Sequence, residues 1–335
     1  MTIRVLQVGL GPIGVAVARQ LLARRGYELV GGVDVDPTKA GHDLGEVCGL
    51  PEPLEMVVRD DLVEALATLE PAVAVICTSS SLARMAPTVE TCLAGGAAVA
   101  SSTEELAYPW REQPDLARQL DRAAKRAGRA ILATGVNPGF AMDAHPLNLT
   151  AVCQRVDSIS VRRVQDAGLR RLPFQLKIGA GLTPEEFERR AAAGDVRHVG
   201  LAESIGMLAD AMGWPLDKII DEIEPVVVSE PVASDQIEVA AGQVAGVRQI
   251  GSGRQQGRLR VHLEFVARLG APESFDEVHV EGDPSLRSRI EGGIPGDVAT
   301  ASMVVNSIPR VVSGRPGLLT MKDLPPAYCW PGNGP

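Results

Sequence analysis

The sequence predicts an α/β chain: a Rossmann doubly wound parallel sheet, then a second α+β domain with a largely antiparallel sheet. Three observations carry this expectation. Over residues 1–138, short and nearly all-apolar segments alternate with segments of helical spacing, the pattern of a parallel sheet covered on both faces. A Gly-x-Gly-x-x-Gly run stands where the first apolar segment gives way to the first helical one. After Asn137-Pro138-Gly139 the pattern changes: Val261, Leu263 and Phe265 alternate with His262, Glu264 and Val266, which suits a sheet with one buried face.

Residues 3–8 are β-branched and apolar, and glycines then interrupt them. Residues 12–25 are helical, with Ile13, Val17, Leu21 and Leu22 on one stripe. Residues 28–34 form a second apolar run and 52–58 a weaker third. A helix is predicted over 61–69, a buried strand over 72–78, and a helix over 82–94 that stops at Gly95-Gly96. A short strand at 97–101, a charged helix at 114–127 closed by Gly128, and a strand at 130–134 complete the first domain. In the second domain, residues 139–296, helices are predicted at 141–152, 183–193 and 200–211. The middle one is entered by Thr183-Pro184-Glu185-Glu186, a cap followed by proline at the first helical position. Strands are predicted at 156–164, 226–228, 236–240, 258–267 and 277–280. A long helix over 297–312 opens a C-terminal segment, 297–335, expected to pack back on the first domain.

A chain of 335 residues suits about two domains. Its formal net charge of −9 repels phosphate backbones, so no nucleic-acid partner is expected. No apolar run approaches the roughly 20 residues a bilayer requires, and MTIRVLQVGL lacks the shape of a signal peptide. No membrane association is therefore expected. The five cysteines include no Cys-x-x-Cys pair, which suits a reducing cytoplasm. The five histidines show no His-x-x-x-His spacing, so no metal site is indicated. Aromatic residues are only 3% of the chain, so a pocket must be shaped by aliphatic side chains and backbone, which suits a small ligand.

The cofactor site is read from Gly9-Leu10-Gly11-Pro12-Ile13-Gly14, between a predicted strand and a predicted helix. Gly9 permits the turn, Gly11 lets backbone approach a pyrophosphate, and Gly14 lets the helix lie close to the sheet. The helix N-terminus then receives the phosphates. Asp34 ends the second run twenty residues after Gly14, where the dinucleotide fold places an acid on the ribose hydroxyls. NAD is favoured over NADP, because a 2′-phosphate would meet this carboxylate; Lys39 softens that preference. Thr78, Ser79 and Ser80 leave a strand at the carboxyl edge and can approach the nicotinamide half, or one of the serines caps the helix at 82–94.

Ser101-Ser102-Thr103-Glu104-Glu105-Leu106 leaves the next strand at the same edge, placing Thr103 at the cofactor. Ser102 and Glu105 have capping-box spacing, which would tie Glu105 to its own backbone and leave Glu104 facing the crevice. Such a carboxylate can hold an ammonium or iminium group and move protons. The plainer reading is an acidic first helical turn. Asn137 offers a donor or acceptor at the domain crossing, and Phe140 an apolar wall. Asn306 reaches the nicotinamide amide if the last helix returns to the first domain.

These motifs, with Val33-Asp-Val-Asp-Pro37, Asp43-Leu-Gly-Glu-Val47, Thr134-Gly-Val-Asn-Pro-Gly-Phe140, Lys177-Ile-Gly-Ala-Gly181, His198-Val-Gly-Leu-Ala-Glu-Ser204 and Gly296-Asp-Val-Ala-Thr300, resemble the 2,4-diaminopentanoate dehydrogenase family. That family is related to the native amine dehydrogenases and sits within the dihydrodipicolinate-reductase-like group. The resemblance runs from the first strand to the last helix. It implies a homodimer that reduces an imine formed from ammonia and a small ketone or aldehyde, and oxidises amines in reverse. The family's active-site glutamate maps onto the Glu104-Glu105 pair, and the capping argument selects Glu104. The resemblance also implies that the second domain closes over substrate, with Arg162, Gln165, Phe174, Lys177 and His198 as candidates for its wall. Read from the residues alone, His198 is a cap, a core partner or a base. Lys177 is a carboxylate partner or a loop charge. Only one of Arg162 and Arg163 should face a pocket, because strand side chains alternate.

Two other readings compete. A dihydrodipicolinate reductase-like imine or carbonyl reductase would need a Lys-x-x-x-Ser-Gly-Thr loop, which Lys177-Ile-Gly-Ala-Gly replaces. A non-catalytic NAD-sensing regulator would keep Gly9, Gly11, Gly14 and Asp34 without needing Glu104.

Overall fold

The computed structural model describes residues 2–330. Residue 1 and residues 331–335, the end of the expected C-terminal segment, lie outside the described residues. The chain divides into two compact units: the first runs to Phe140 and resumes at Pro295, and the second is Ala141–Ile294.

The first unit opens with β1 (Ile3–Val8), α1 (Pro12–Ala23), β2 (Tyr27–Val33), a short α2 (Leu44–Val47), α3 (Leu62–Leu69) and β3 (Val73–Ile76). It continues with α4 (Leu82–Ala94), β4 (Ala98–Ser101), α5 (Pro114–Ala127) and β5 (Ala130–Ala133). β3, β4 and β5 are buried at every position, as strands covered on both faces must be. Gly128 stops α5 in the left-handed region at φ +65 and returns its N–H to the helix. Residues 52–58 do not join the sheet as a third strand; within this stretch Val57 makes an isolated bridge with Asp43, and Arg59 just after it makes one with Val33. The reason is Asp43. Its Oδ1 accepts the N–H groups of Gly45, Glu46 and Leu54 at 2.7, 3.3 and 2.9 Å, and its Oδ2 that of Met56 at 3.0 Å. A carboxylate takes the backbone donors that a ladder would otherwise use. Those bonds, led by the one from Leu54, hold Asp43 below the usual carboxylate range.

The second unit contains α6 (Ala144–Leu149), β6 (Arg155–Asp166), α7 (Leu172–Lys177), α8 (Pro184–Ala192), α9 (Leu201–Ala211) and β7 (Lys218–Val227). There follow β8 (Val232–Ala233), β9 (Glu238–Val239), β10 (Val244–Gln255), β11 (Arg258–Arg268), β12 (Phe275–Asp283) and β13 (Leu286–Glu291). Its six-stranded sheet runs β13-β12-β6-β11-β10-β7, with β8 and β9 forming a separate pair. Only the β6–β11 pairing in that sheet is parallel. The sequence pattern does not predict β10, because Gly246, Gly251 and Gly253 interrupt it. Two of these glycines are required by α9 and the segment after it. A Cβ at Gly251 would stand 2.8 Å from Ile205, and one at Gly253 2.7 Å from Leu216. β13 and α7 are likewise unpredicted, and β7 begins well before residue 226.

The chain then adds α10 (Gly296–Val312) and β14 (Gly317–Leu319) to the first unit. The first sheet is ordered β14-β5-β4-β3-β1-β2, with every pairing parallel. Its sixth strand is thus β14, too short to be predicted from sequence. α10 lies against α1 and over β3, β4 and β5. The other face carries the apolar core shared with α3, α4 and α5, including Leu66, Val89 and Leu120. Both faces are covered, as in a Rossmann-type sheet. Among the described residues, no helix is long and apolar enough to cross a membrane.

Candidate active site

The carboxyl ends of β1, β3, β4 and β5 lie along one edge of the first sheet, because all four strands run parallel. The turn after β1 is built around clearances that only glycine meets. Gly9 has φ +84, and a Cβ there would stand 2.5 Å from Thr78 Cγ2. Gln7, a fully buried polar residue, donates from Nε2 to the Gly9 carbonyl at 2.9 Å. A Cβ on Gly14 would fall 1.9 Å from that same carbonyl oxygen, whereas one on Gly11 would meet nothing within 4 Å. Gly14 is therefore a packing glycine. Gly11, the N-cap of α1, has open space in front of backbone N–H groups that no side chain caps. Pro12 takes the first helical position, Ile13 is half-buried, and Leu10 is core.

These differences predict separate outcomes for two alanine variants. Gly14→Ala should push α1 off β1 and lower stability by roughly 1–3 kcal/mol or more. Gly11→Ala should stay within about 0.5 kcal/mol of the parent stability yet weaken dinucleotide binding at least about tenfold. Thermal unfolding and calorimetric titration of NAD+ check both.

Asp34 follows β2 with its side chain 11% exposed. Its Oδ2 accepts the Leu10 N–H at 2.7 Å and lies 3.3 Å from Lys39 Nζ, while Oδ1 accepts the Asp36 N–H at 3.0 Å. The Leu10 amide thus holds the acid and is not offered to a phosphate. Lys39 also pairs with Asp36 at 3.2 Å.

Beyond β3, the Thr78 hydroxyl points to Met85 Sδ at 2.7 Å. Ser79 Oγ accepts the Ser81 N–H at 3.1 Å, and the Ser80 carbonyl accepts the Glu105 N–H at 3.3 Å. Thr103 is 1% exposed, and its hydroxyl is bonded to the Ser79 carbonyl and Ser101 Oγ. It ties the β3 and β4 exits together, and the expectation that its side chain meets the cofactor is corrected. The expected capping box is also corrected. Glu105 Oε2 accepts the N–H of Leu82, the first residue of α4, and Gln113 Nε2, both at 2.8 Å. Glu105, and no serine side chain, caps α4. Its neighbour Glu104 is half-buried in the short 3-10 turn Glu104–Leu106. The Cys77 thiol is pushed up chiefly by burial and further by the Glu104 charge, against hydrogen bonds from Ser102 and Gln7. The turn that carries Glu104 is tied to the β3 exit by the Glu105 N–H on the Ser80 carbonyl and by the Thr103 hydroxyl on the Ser79 carbonyl.

After β5, Asn137 is 8% exposed in a turn closed by Gly139, where a Cβ would lie 2.3 Å from the Gly135 nitrogen. Phe140 is half-buried. Asn306 does not reach this edge. Its Oδ1 accepts from Arg24 at 2.5 Å and from the Trp330 N–H at 3.2 Å. Arg24 follows the far end of α1, a helix whose twelve residues span about 18 Å. Asn306 serves the α1–α10 packing.

In the second unit, the alternation of β6 separates the two arginines, and Arg162 is the outward one. It lies 2.9 Å from Glu264 on the open face of the sheet, where a groove is lined by Ser160, His262, Glu277 and His279. Arg163 is the buried one, 2.6 Å from Asp276 and donating to the Ile294 carbonyl at 2.6 Å. Gln165 shares that buried face; its Nε2 donates to the same carbonyl at 2.9 Å and its Oε1 accepts from Arg170 at 3.3 Å. Arg170 stands 4.2 Å over the half-buried Phe174 ring. Lys177 is exposed. His198 packs on Phe265 with ring centroids 4.7 Å apart. Gln249 bonds the His198 backbone through both its N–H and its carbonyl. Desolvation, helped by Lys177, Arg163 and Arg197, lowers the His198 imidazole pKa to about 3. The ring is neutral at working pH and unsuited to deliver protons there. Among the described residues, no group of three or more His, Cys, Asp or Glu is placed to hold a metal ion.

Residues 140–333 match the 2,4-diaminopentanoate dehydrogenase C-terminal domain. Over 334 residues the chain is 33% identical to the 2,4-diaminopentanoate dehydrogenase of Acetoanaerobium sticklandii, covering 96% of this chain and 93% of that one. The chain belongs to the 2,4-diaminopentanoate dehydrogenase family. As a member of that family it is an oxidoreductase of the amine dehydrogenase group. It is also 25% identical to the amine dehydrogenase of Streptomyces virginiae over 341 residues, covering 95% and 94% of the two chains. The solved amine dehydrogenase of Mycobacterium smegmatis matches with a TM-score of 0.87 at 26% identity, covering 99% of each chain. Sequence reasoning passed over Gln7, which holds the Gly9 carbonyl in the turn after β1. Gln7 had a signal, being the one polar residue in Val5-Leu6-Gln7-Val8.

Proposed function

We propose that this oxidoreductase carries out reductive amination of a small ketone or aldehyde with ammonia, using NAD(H), and oxidises the amine in reverse. The observation that carries the reading is the division of labour between adjacent carboxylates. Glu105 is bonded to the start of α4, and Glu104 stands beside it in the turn that leaves β4 at the strand edge. The residues fit the cofactor: open space before Gly11, N–H groups at the start of α1, and a carboxylate at Asp34 for a ribose diol. Gly9 and Gly14 shape that turn, and Ser79, Ser80 and Asn137 stay proposed for the nicotinamide half. When bound, the reduced nicotinamide supplies hydride.

The chain's own part is proton and charge management. Glu104 attracts the ammonium form of the nitrogen donor and takes its proton, and the ammonia so released adds to the carbonyl carbon; a second proton then passes from the added nitrogen to the alkoxide, giving the neutral carbinolamine. Glu104 returns the proton it holds to the carbinolamine hydroxyl as water leaves, so the iminium forms beside a carboxylate. Negative charge beside the developing cation favours the iminium over the neutral ketone as hydride acceptor. Phe140, Gln165, Phe174, Lys177 and His198 remain proposed substrate contacts. A cytoplasmic homodimer belongs to the same proposal. The free thiols of Cys48, Cys77, Cys92, Cys153 and Cys329 suit a reducing compartment, and light scattering reads the dimer.

A panel of small ketones and aldehydes with NADH, with and without ammonia, tests the function. Absorbance loss at the nicotinamide band should require ammonia. Equal rates without ammonia would identify a plain carbonyl reductase, and tight NAD+ binding without turnover would identify a regulator.

A further inference from the structure

The ladder between β3 and β4 ends at the pair Ile76 and Ser101. Both strands then leave the sheet, one into Ser79 and Ser80 and the other into the turn that carries Glu104. Beyond the ladder, two buried hydroxyls bind the exits together. Ser101 Oγ accepts the Thr103 N–H at 3.1 Å and lies 3.0 Å from both the Ile76 carbonyl and Thr103 Oγ1. Thr103 Oγ1 donates to the Ser79 carbonyl at 2.8 Å. A hydroxyl has one proton to give, and Thr103 gives it across to the β3 exit. The Thr103 carbonyl accepts the Leu106 N–H at 3.2 Å, and the Glu104 carbonyl accepts the Ala107 N–H at 3.0 Å, which closes the turn. The N–H, hydroxyl and carbonyl of Thr103 are thus all engaged, one on β4, one on the β3 exit and one inside the turn. Glu104 is the next residue along the chain.

We propose that Thr103 is the positioning residue for Glu104: its buried hydroxyl, held on the Ser79 carbonyl, fixes the spacing between the turn that carries the acid and the strand exit assigned to the nicotinamide half. The proposal rests on the reading of Glu104 above. Proton transfer at a reacting carbon tolerates little error, and a shift of about 1 Å in a positioned group can cost on the order of 10²-fold in rate. Valine matches threonine in shape but has no hydroxyl, so Thr103→Val removes the bond to Ser79 and keeps both backbone bonds. Glu105 makes a separate connection, from its carboxylate to the start of α4.

Ammonia-dependent turnover and calorimetric titration of NAD+, both on the intact protein, test it. Thr103→Val should lower kcat by about 10- to 100-fold, with the KM for the carbonyl and the NAD+ Kd each within about threefold of the parent. Thr103→Ser, which keeps the hydroxyl, should recover most of the rate. The valine is then combined with Glu104→Gln and the residual rate followed in single turnovers. There Thr103→Val should cost less than about threefold, because the group it positions is already lost. Losses that multiply in the double variant, equal losses in Thr103→Ser and Thr103→Val, or weakened NAD+ binding in Thr103→Val would each mark a general support of the fold and overturn the assignment. A parent rate in Thr103→Val beside an inactive Glu104→Gln overturns it too, and leaves the reading of Glu104 standing. Full activity in Glu104→Gln, or no ammonia-dependent turnover in the parent, overturns both.

Discussion

Glu104→Gln is expected to lower the ammonia-dependent rate by about 10²- to 10⁴-fold, the usual weight of a positioned acid–base group, while the NAD+ Kd moves less than about threefold. The substitution keeps shape and removes charge. A neutral amide cannot accept the proton released when ammonia adds, and it offers no counter-charge to the iminium. The control is the next residue. Glu105 Oε2 holds the Leu82 N–H and Gln113, so Glu105→Ala should act on α4 as loss of an N-cap does, at about 1 kcal/mol, and leave most of the chemistry. Steady-state rates with and without ammonia, beside urea midpoints of both variants, separate these effects. The reverse pattern, with Glu105 essential and Glu104 dispensable, would move the working acid by one position.

The largest effect on stability is expected at Asp276. Its side chain and that of Arg163 are each 2% exposed and meet at 2.6 Å. Asp276 Oδ2 also accepts the Ile294 N–H at 2.7 Å. Asp276→Ala leaves a guanidinium and a backbone N–H without that acceptor inside the second unit, a loss of about 3–5 kcal/mol. Removing both charges together, in Arg163→Met with Asp276→Leu, should recover most of it, because an apolar pair of similar volume avoids the desolvation that ions incur. The urea midpoint followed by circular dichroism reads both. A double variant as unstable as the single one would show that hydrogen bonds to residue 294, rather than the stranded charge, carry the effect.

The sequence was most legible where a single periodicity acts with a local stop signal. The helices at 82–94 and 114–127 coincide with α4 and α5, because apolar spacing and a terminal glycine agree there. The glycine turn and Asp34 were legible for a similar reason: a fixed spacing expresses one local geometry. Elsewhere, partners distant in sequence decide. β10 was hidden because α9 requires glycines in it. Residues 52–58 read as a strand until Asp43 drew off their N–H groups. Alternation said that only one of Arg162 and Arg163 faces a pocket, but which of the two is buried depends on Asp276, more than a hundred residues away. Ser102 and Glu105 have capping-box spacing, yet Glu105 is better placed for the start of α4. Asn306 was assigned a ligand because its helix returns to the first unit; which end of α1 it meets is a fact of packing.

The position of β14 bears on how the chain acquires its shape during synthesis. The edge strand beside β5 is made from Gly317–Leu319, after the whole of the second unit has been translated. A ribosome therefore releases a self-contained inserted body, residues 141–294, while the surrounding sheet still lacks one border and the helix that shields one side of it. Nascent first-unit strands must wait with an unpaired margin exposed, a state prone to association between chains, until the closing residues emerge.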